Sequence, residues 1–310
     1  MISIAHYVCS ASFIIRVIQL YYIFPLWDIK IQRELLNTLL KQQNQKVFSM
    51  DHKKTGEYWD GNAENWTKLV RLGYDKTRVY LTLPKFLEML PEIHGMEGLD
   101  IGCGEGSNTR EFQKLGAKMT AIDISTTFIK LAQELEEKEE LGVKYQVASA
   151  VELPFEDNSF DFTVSTMAMM DIPEFQKVIN EAFRVTKPGG FFQFSMTHPC
   201  FNFGLPKFIK DENGRKKAII LSGYFDEKND WIDEWIFGAA PKELTENMER
   251  FKVPRFEYTL SQWLNVFAES RFILEKVCEP NPSDELLERE PSFWTERIVA
   301  LFIIFRYRKP

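Results

Sequence analysis

An α/β fold, parallel strands alternating with helices, is predicted by three features of the sequence. A short apolar strand, Gly98-Leu99-Asp100-Ile101, runs into a glycine-dense turn, Gly102-Cys103-Gly104-Glu105-Gly106. A helix follows, since Asn108 and Glu111 stand three apart in the manner of a capping box. A second strand, Lys118 to Ile124, carries Asp123 at its end, about twenty residues past the glycines, as a ribose-binding acid should be. Glycines let the backbone approach a ligand without a Cβ clash, and a helix N-terminus points unpaired N–H groups at it. Together these are the first βαβ half of a dinucleotide- or nucleoside-binding sheet, with Asp123 able to accept both ribose hydroxyls.

The third glycine decides between ligands. A nicotinamide dinucleotide (NAD) site requires G-x-G-x-x-G, so that the last glycine packs helix on strand beneath a pyrophosphate. Here the glycines are Gly102, Gly104 and Gly106, and Ser107 stands where the third dinucleotide glycine should fall. With Asp100 before it, the D-x-G-x-G-x-G run resembles motif I of the class I S-adenosylmethionine (SAM)-dependent methyltransferases. That resemblance implies that Asp100, Gly102, Cys103 and Gly104 form the loop around the amino-acid end of SAM. It gives the ribose to Asp123, with Ile124 beside it.

The composition sets limits. The chain has 310 residues, 45% hydrophobic and 27% charged, enough for one large α/β domain or two small ones. A net charge of −7 argues against nucleic acid as a partner. The charge is uneven: residues 1–50 carry +3, from Arg16, Lys30, Arg33, Lys41 and Lys46 against Asp28 and Glu34, and the remainder carries −10. Cys9, Cys103, Cys200 and Cys278 are scattered, as are His6, His52, His94 and His198. Neither a metal site nor a disulfide framework is indicated. A reduced, cytoplasmic protein is the simplest reading.

An N-terminal extension, residues 1–49, precedes a domain spanning 50–310. Ile2 to Trp27 is nearly all apolar and long enough to cross a bilayer, but contains Arg16 and Gln19 and meets Pro25. It lacks the basic start and cleavage site of a secretory signal. Three readings stand open: a signal anchor, a membrane-surface or partner-binding helix formed by residues 1–30, and a poorly packed extension from an upstream start. Met50 begins an ordinary soluble sequence, which favours the last.

Beyond it, Glu57 to Leu72 is polar with Tyr58, Trp59 and Trp66 interspersed, and Lys76 to Leu90 has apolar residues at helical spacing, with Pro84 a kink. In the family resembled, the segment before motif I folds over the cofactor. Arg78 is then the candidate for the methionine carboxylate, which suits a bidentate guanidinium; a solvated Arg is the alternative. Ser125 caps a helix with Phe128, Leu131, Ala132 and Leu135 on one face. Val143 to Ala150 is the third strand, and Phe160 opens the fourth. The resemblance places adenine at Ser149 and Ala150, where many relatives carry an Asp that accepts from the adenine amino group. Met167 leaves the fourth strand where the methyl donor should lie, to pack on adenine or fill core.

Pro173 suits a helix first turn, and Lys187-Pro188-Gly189-Gly190 ends that helix before a fifth strand, Phe191 to Thr197. Helix, KPGG and apolar strand resemble the same methyltransferases, and Thr197-His198-Pro199-Cys200-Phe201 resembles a broad small-molecule group among them, the methyltransferase type 11-like proteins. Residues 202–256 interrupt the plan. Asn213-Gly214 marks a hairpin, and Phe201, Phe203, Phe208, Tyr224, Phe225, Trp231, Trp235 and Phe237 make the insertion aromatic. An insertion there lies above the strand ends where α/β sheets bind ligands, so it is either an acceptor lid or a satellite core. Thr259 and Gln262 form a capping box, Phe272 to Val277 is strand six, and Arg297 to Tyr307 is strand seven. The resemblance implies a Rossmann-like seven-stranded sheet, order 3-2-1-4-5-7-6, with the last strand antiparallel.

Methyl transfer from a sulfonium is an in-line displacement that asks the protein to align donor and acceptor and exclude water. A hydroxyl acceptor, or a nitrogen protonated at neutral pH, also needs a base. His198 is the candidate catalytic residue, with a structural histidine as its alternative; Asp171 and Glu257 are others. The expected function is SAM-dependent methylation of a small or lipophilic acceptor. An NAD-dependent oxidoreductase is the rival enzyme, opposed by Ser107 and KPGG, and a non-catalytic scaffold of the same fold is the rival of another class.

Overall fold

A computed structural model describes residues 50–201, 207–226 and 229–310. The expectations for residues 1–49, including the helix over 1–30, and for Phe203 lie outside the described residues. Ser49–Pro310 forms one unit by its internal contacts.

Helix α1 (His52–Arg71) is capped by Asp51, whose carboxylate accepts from the Lys54 amide. A π-helical turn, Arg78–Thr82, leads into α2 (Leu83–Met89). The kink expected at Pro84 takes this form because proline has no N–H for the i→i−4 ladder, and a widened turn absorbs the loss. Next come β1 (Glu97–Ile101), α3 (Ser107–Lys114), β2 (Lys118–Asp123), α4 (Thr126–Glu139), β3 (Lys144–Val147) and β4 (Phe160–Thr166). A 3₁₀ turn (Met169–Asp171) and α5 (Phe175–Val185) lead to β5 (Thr186–Thr197). The insertion supplies hairpin β6 (Lys207–Lys210) and β7 (Lys216–Ile220), then β8 (Asn229–Trp235), α6 (Lys242–Thr245) and β9 (Phe251–Phe256). The chain closes with α7 (Leu260–Glu269), β10 (Ile273–Cys278), α8 (Asp284–Arg289), α9 (Trp294–Ile298) and β11 (Phe302–Arg308).

The main sheet runs β10-β11-β5-β4-β1-β2-β3. Strands β1 to β5 pair in parallel and β11 pairs antiparallel with both β5 and β10, the order expected. Period-2 alternation feeds two cores. On one face Leu99, Ile101, Phe192 and Phe194 meet α5 and α7; on the other Met119, Ala121, Phe162, Val164 and Phe191 meet α2, α3 and α4. Phe267 stacks on both Phe194 and Tyr307, with ring centroids 5.2 and 3.9 Å away. This stack ties the antiparallel strand and α7 to the parallel core.

Several boundaries differ from the expectation for physical reasons. The first cap of α3 is Gly106 at φ +82°, not Asn108; Asn108 Nδ2 instead donates to Thr166 Oγ1 at 2.8 Å. Strand β3 stops at Val147, and residues 148–150 turn away over the sheet end. KPGG is not a break but part of β5: Gly189, at φ +77°, sends its N–H to the Lys309 carbonyl at 2.9 Å. The last strand begins at Phe302, because Trp294–Ile298 is helical and Arg297 is anchored to Asp284 and the Pro282 carbonyl. The expected capping box of Thr259 and Gln262 is present in full.

Two sets of bonds hold α1 over the sheet. Asp60 accepts from Ser125 Oγ (2.6 Å) and the Thr127 amide (2.8 Å) at the start of α4. Asn62 exchanges two hydrogen bonds with the Lys252 backbone in β9. The helix therefore links the nucleoside end of the sheet to the insertion. Trp66 packs with Trp235, Phe237 and Phe251 in a satellite core between them. Among the described residues no helix is long and apolar enough to cross a membrane.

Candidate active site

A cavity of about 930 Å³ opens at the carboxyl ends of β1, β2 and β4. It lies where the strand order reverses between β1 and β4, the place where open α/β sheets bind ligands. Its size is near the top of the range for small-molecule sites, roughly 300–1,000 Å³. That is enough for two ligands side by side.

At one end stands the glycine turn. Gly104 has φ +56°, and a Cβ built there would meet nothing within 4 Å, so its bare face looks into open space. Its N–H donates to Asp123 Oδ2 at 2.9 Å, and the Ser125 N–H donates to Asp123 Oδ1 at 2.9 Å. The acid at the end of β2 is thereby aimed by backbone on both sides. Burial pushes its carboxyl above the usual range, against the pull of those N–H donors. Beneath the turn, the Glu105 carboxylate receives Arg110 Nη2 (3.0 Å) and Arg71 Nε (2.9 Å), and Ser107 Oγ donates to it.

Gly102, Cys103, Gly104, Asp123, Ile124, Ser149, Ala150, Met167 and Arg78 all line this cavity. Arg78 Nη1 donates to Asn108 Oδ1 at 3.3 Å and its Nε lies 3.4 Å from Asp75 Oδ2, while Nε makes no hydrogen bond. Met167 sits at φ +58°, uncommon for a non-glycine residue and a form of strain that collects at functional sites. Its N–H donates to the Ser195 carbonyl. Burial sends the Cys103 thiol well above its usual range, so it stays protonated.

Two expected residues are not brought to the cavity wall. Asp100 is buried under the loop, where Thr109 Oγ1 donates to its Oδ2 at 2.6 Å; it shapes the turn from below. His198 is also buried. Its Nε2 lies 3.0 Å from Glu279 Oε1, its Nδ1 accepts from the Cys200 amide at 3.1 Å, and its own N–H donates to the Leu301 carbonyl. Both ring nitrogens are committed to joining the end of β5 to the segments beside it. Burial lowers its pKa, with Glu279 opposing. This is the geometry of the structural alternative, and it corrects the placement of His198 as a base facing the acceptor.

At the opposite end of the cavity stands Asp171, an alternative base by sequence, with Trp59, Trp66, Trp235 and Phe237; Val253, Asp233 and Arg255 beside them were missed by sequence reasoning. In the β8–β9 hairpin, Trp231, Asp233 and Trp235 pair with Arg255, Val253 and Phe251, and these cross-strand pairs share one face. The period-2 pattern of W-I-D-E-W was a legible strand signal, but its partner Phe251–Phe256 contains Pro254, which reads against a strand. Glu257 does not line the cavity.

Residues 99–194 match the family model of the methyltransferase domain, the segment holding the glycine turn, Asp123 and β4. The chain carries a methyltransferase domain of the class I, SAM-dependent family. The domain is 33% identical over 120 residues to phosphoethanolamine N-methyltransferase 2 of Caenorhabditis elegans, 38% of this chain and 26% of that protein. It is 39% identical over 101 residues to a sterol 24-C-methyltransferase of Gibberella zeae, 32% of this chain and 27% of that one. The chain thus spans about a quarter of the length of these curated relatives. The solved structure of a SAM-dependent methyltransferase from Mesorhizobium loti superimposes with a TM-score of 0.59 at 25% identity, over 73% of this chain and 96% of that one.

The residues present fit SAM. The open face at Gly104 is a cradle that any Cβ would fill, and Asp123 beside it keeps lone pairs for a diol.

Proposed function

We propose that this chain transfers a methyl group from SAM to a small, largely apolar acceptor bound beneath the β8–β9 hairpin. The observation that carries this is the continuity of one cavity from the Gly104–Asp123 end to the Asp171–Trp235 end. Asp123 would hold the ribose, Ile124, Ser149 and Ala150 the adenine, and Arg78 with the Gly102–Gly104 backbone the amino-acid end. Bound there, SAM supplies a methyl carbon on a sulfonium. The chain's own task is alignment and exclusion of water. α1 and the hairpin do this by roofing the sheet end, and Trp59, Trp66, Trp235, Phe237 and Val253 supply apolar walls. The named relatives methylate nitrogen of a phosphoethanolamine and carbon of a sterol, so the domain serves more than one acceptor class.

Isothermal calorimetry with SAM, S-adenosylhomocysteine and NAD tests this reading. SAM and S-adenosylhomocysteine should bind with one site per chain, and NAD should give no heat. A hydrogen bond to a charged group contributes roughly 1.5–3 kcal/mol, so Asp123→Ala should weaken SAM by on the order of tenfold or more. Its loss also releases the Gly104 N–H, which adds to the effect. A change below about twofold would place the ribose elsewhere, and NAD binding in place of SAM would favour the oxidoreductase.

A further inference from the structure

We propose that Asp171 takes the proton from the methyl acceptor, and that the acceptor group is an acidic hydroxyl, phenolic or enolic, facing Asp171 and Arg255. This deepens the methyltransferase reading above and rests on it.

Position comes first. Asp171 closes the 3₁₀ turn immediately after β4, on the side of the strand-order reversal opposite the glycine loop. The turn is held from within by the Asp171 N–H to the Ala168 carbonyl and by the strained Met167 behind it. The side chain is 5% exposed and lines the cavity, and its Oδ1 is buried with no hydrogen-bond partner. A buried carboxylate oxygen without a hydrogen bond is costly, and such exceptions call for an explanation.

Three other acids on the same wall have ionic partners: Asp75 faces Arg78, Glu290 pairs with Lys76, and Glu105 pairs with Arg110. Glu296 also lines the cavity with a buried unpaired oxygen, but it belongs to α9, between β10 and β11, whereas Asp171 directly follows β4 at the strand-order reversal. The groups facing Asp171 are few. From β9 comes Arg255, whose charge acts on it, and Asp233 shares that hairpin face. The N-cap of α5 offers Glu174, already engaged with His52. From β5 only Ser195 and Thr197 line the wall. Burial pushes the Asp171 carboxyl up to about 7, and Arg255 pulls it partly back. A group near neutrality both accepts and returns protons efficiently at physiological pH.

The surroundings select the acceptor. A hydroxyl stays protonated and weakly nucleophilic at neutral pH, so it gains most from a base. Arg255 disfavours an ammonium in the same space and stabilises negative charge growing on oxygen. In the reaction the acceptor oxygen forms a bond to the methyl carbon while its proton passes to the Asp171 carboxylate. The carbon–sulfur bond breaks, its electron pair stays on sulfur, and S-adenosylhomocysteine leaves as a neutral thioether. Asp171 then loses its proton to solvent.

The test follows methyl transfer from SAM to phenol by the full chain across pH. Wild-type kcat should rise with pH and level off above about 7 as Asp171 ionises. Asp171→Asn should lower kcat at neutral pH by roughly 100-fold or more and remove that levelling, with S-adenosylhomocysteine affinity unchanged, and Asp171→Glu should restore part of the rate. Folding of the Asn variant is checked by thermal melting. The Asp171 pKa is raised from 3.8 in the folded state, so its contribution to stability is present below that value and lost as pH rises through about 7. Above that pH the Asn variant should melt no lower than the wild type. An equal rate of phenol methylation by wild type and Asp171→Asn at neutral pH would overturn the proposal. So would the absence of phenol methylation by wild-type protein that still binds S-adenosylhomocysteine. Failure of the wild type to bind S-adenosylhomocysteine would instead overturn the methyltransferase reading, and this proposal with it.

Discussion

Gly104→Val should abolish SAM binding, with a loss of affinity of at least on the order of a hundredfold, while the domain stays folded. Gly104 is at φ +56° with no atom within 4 Å of the position its Cβ would take. A valine there projects its two methyl groups into the cavity beside Asp123, where the ligand backbone must approach. The left-handed conformation adds about 1–2 kcal/mol of strain for a residue with a Cβ. At roughly 2–4 °C per kcal/mol for a domain of this size, the melting temperature should fall by only a few degrees. Calorimetry and a thermal melt of the same sample separate the two effects. Gly104→Ala should lie between, since a single methyl fills less of the space. Equal SAM affinity in the valine variant with a native-like melt would show that the loop does not touch the ligand.

Glu105→Ala should cause the largest loss of stability. The Glu105 side chain is 3% exposed and bonds Arg110 at 3.0 Å and Arg71 at 2.9 Å, and Arg110 itself is 8% exposed. Burial works against the Arg110 charge, but Glu105 outweighs it and keeps the guanidinium above its ordinary range. Removing one partner from a buried pair typically costs about 3–5 kcal/mol, because the other charge is left uncompensated. For this chain that corresponds to a melting temperature lower by roughly ten degrees. Arg110 Nη1 also donates to the Glu105 carbonyl at 2.7 Å, so part of the clamp survives and SAM binding should weaken less than in Gly104→Val. Glu105→Gln keeps the shape and one acceptor, and should lose less stability than alanine. A melt within about a degree of the wild type for Glu105→Ala would mean the pair is solvated rather than buried.

Local chemistry was the most legible part of the chain. The glycine turn, Asp123, the Ser125 cap and the Thr259–Gln262 box each depend on residues close in sequence, and each took the form expected. The sheet order followed from the alternation of strands and helices together with the family resemblance. What escaped depended on distant partners. Strand β5 runs back through Lys187-Pro188-Gly189-Gly190 because the last residues of the chain pair with it, over 100 positions away. The last strand is shortened because Arg297 is recruited by α8. The proposed base differs from the sequence candidate for the same reason. His198 is adjacent to the sheet end in sequence, yet Glu279 and the Cys200 amide occupy its ring. By sequence Asp171 was a secondary alternative, better read as a cap or surface residue, and its significance in the proposal lies in β9, whose Arg255 arrives from 84 positions further on. The insertion contributes both to the cavity wall and to a satellite core. One face of β8–β9 roofs the cavity while Trp235 and Phe251 pack on Trp66 of α1.

A crystal structure with S-adenosylhomocysteine tests the central claim most directly. The ribose hydroxyls should sit on the Asp123 carboxylate, the adenine between Ile124 and Ser149–Ala150, and the amino-acid end against the bare face of Gly104. The sulfur should then point along the cavity toward Asp171 and the β8–β9 hairpin. A ligand bound away from Asp123, or one whose sulfur faces away from the Asp171 turn, would contradict the assignment of this cavity as a methyl-transfer site.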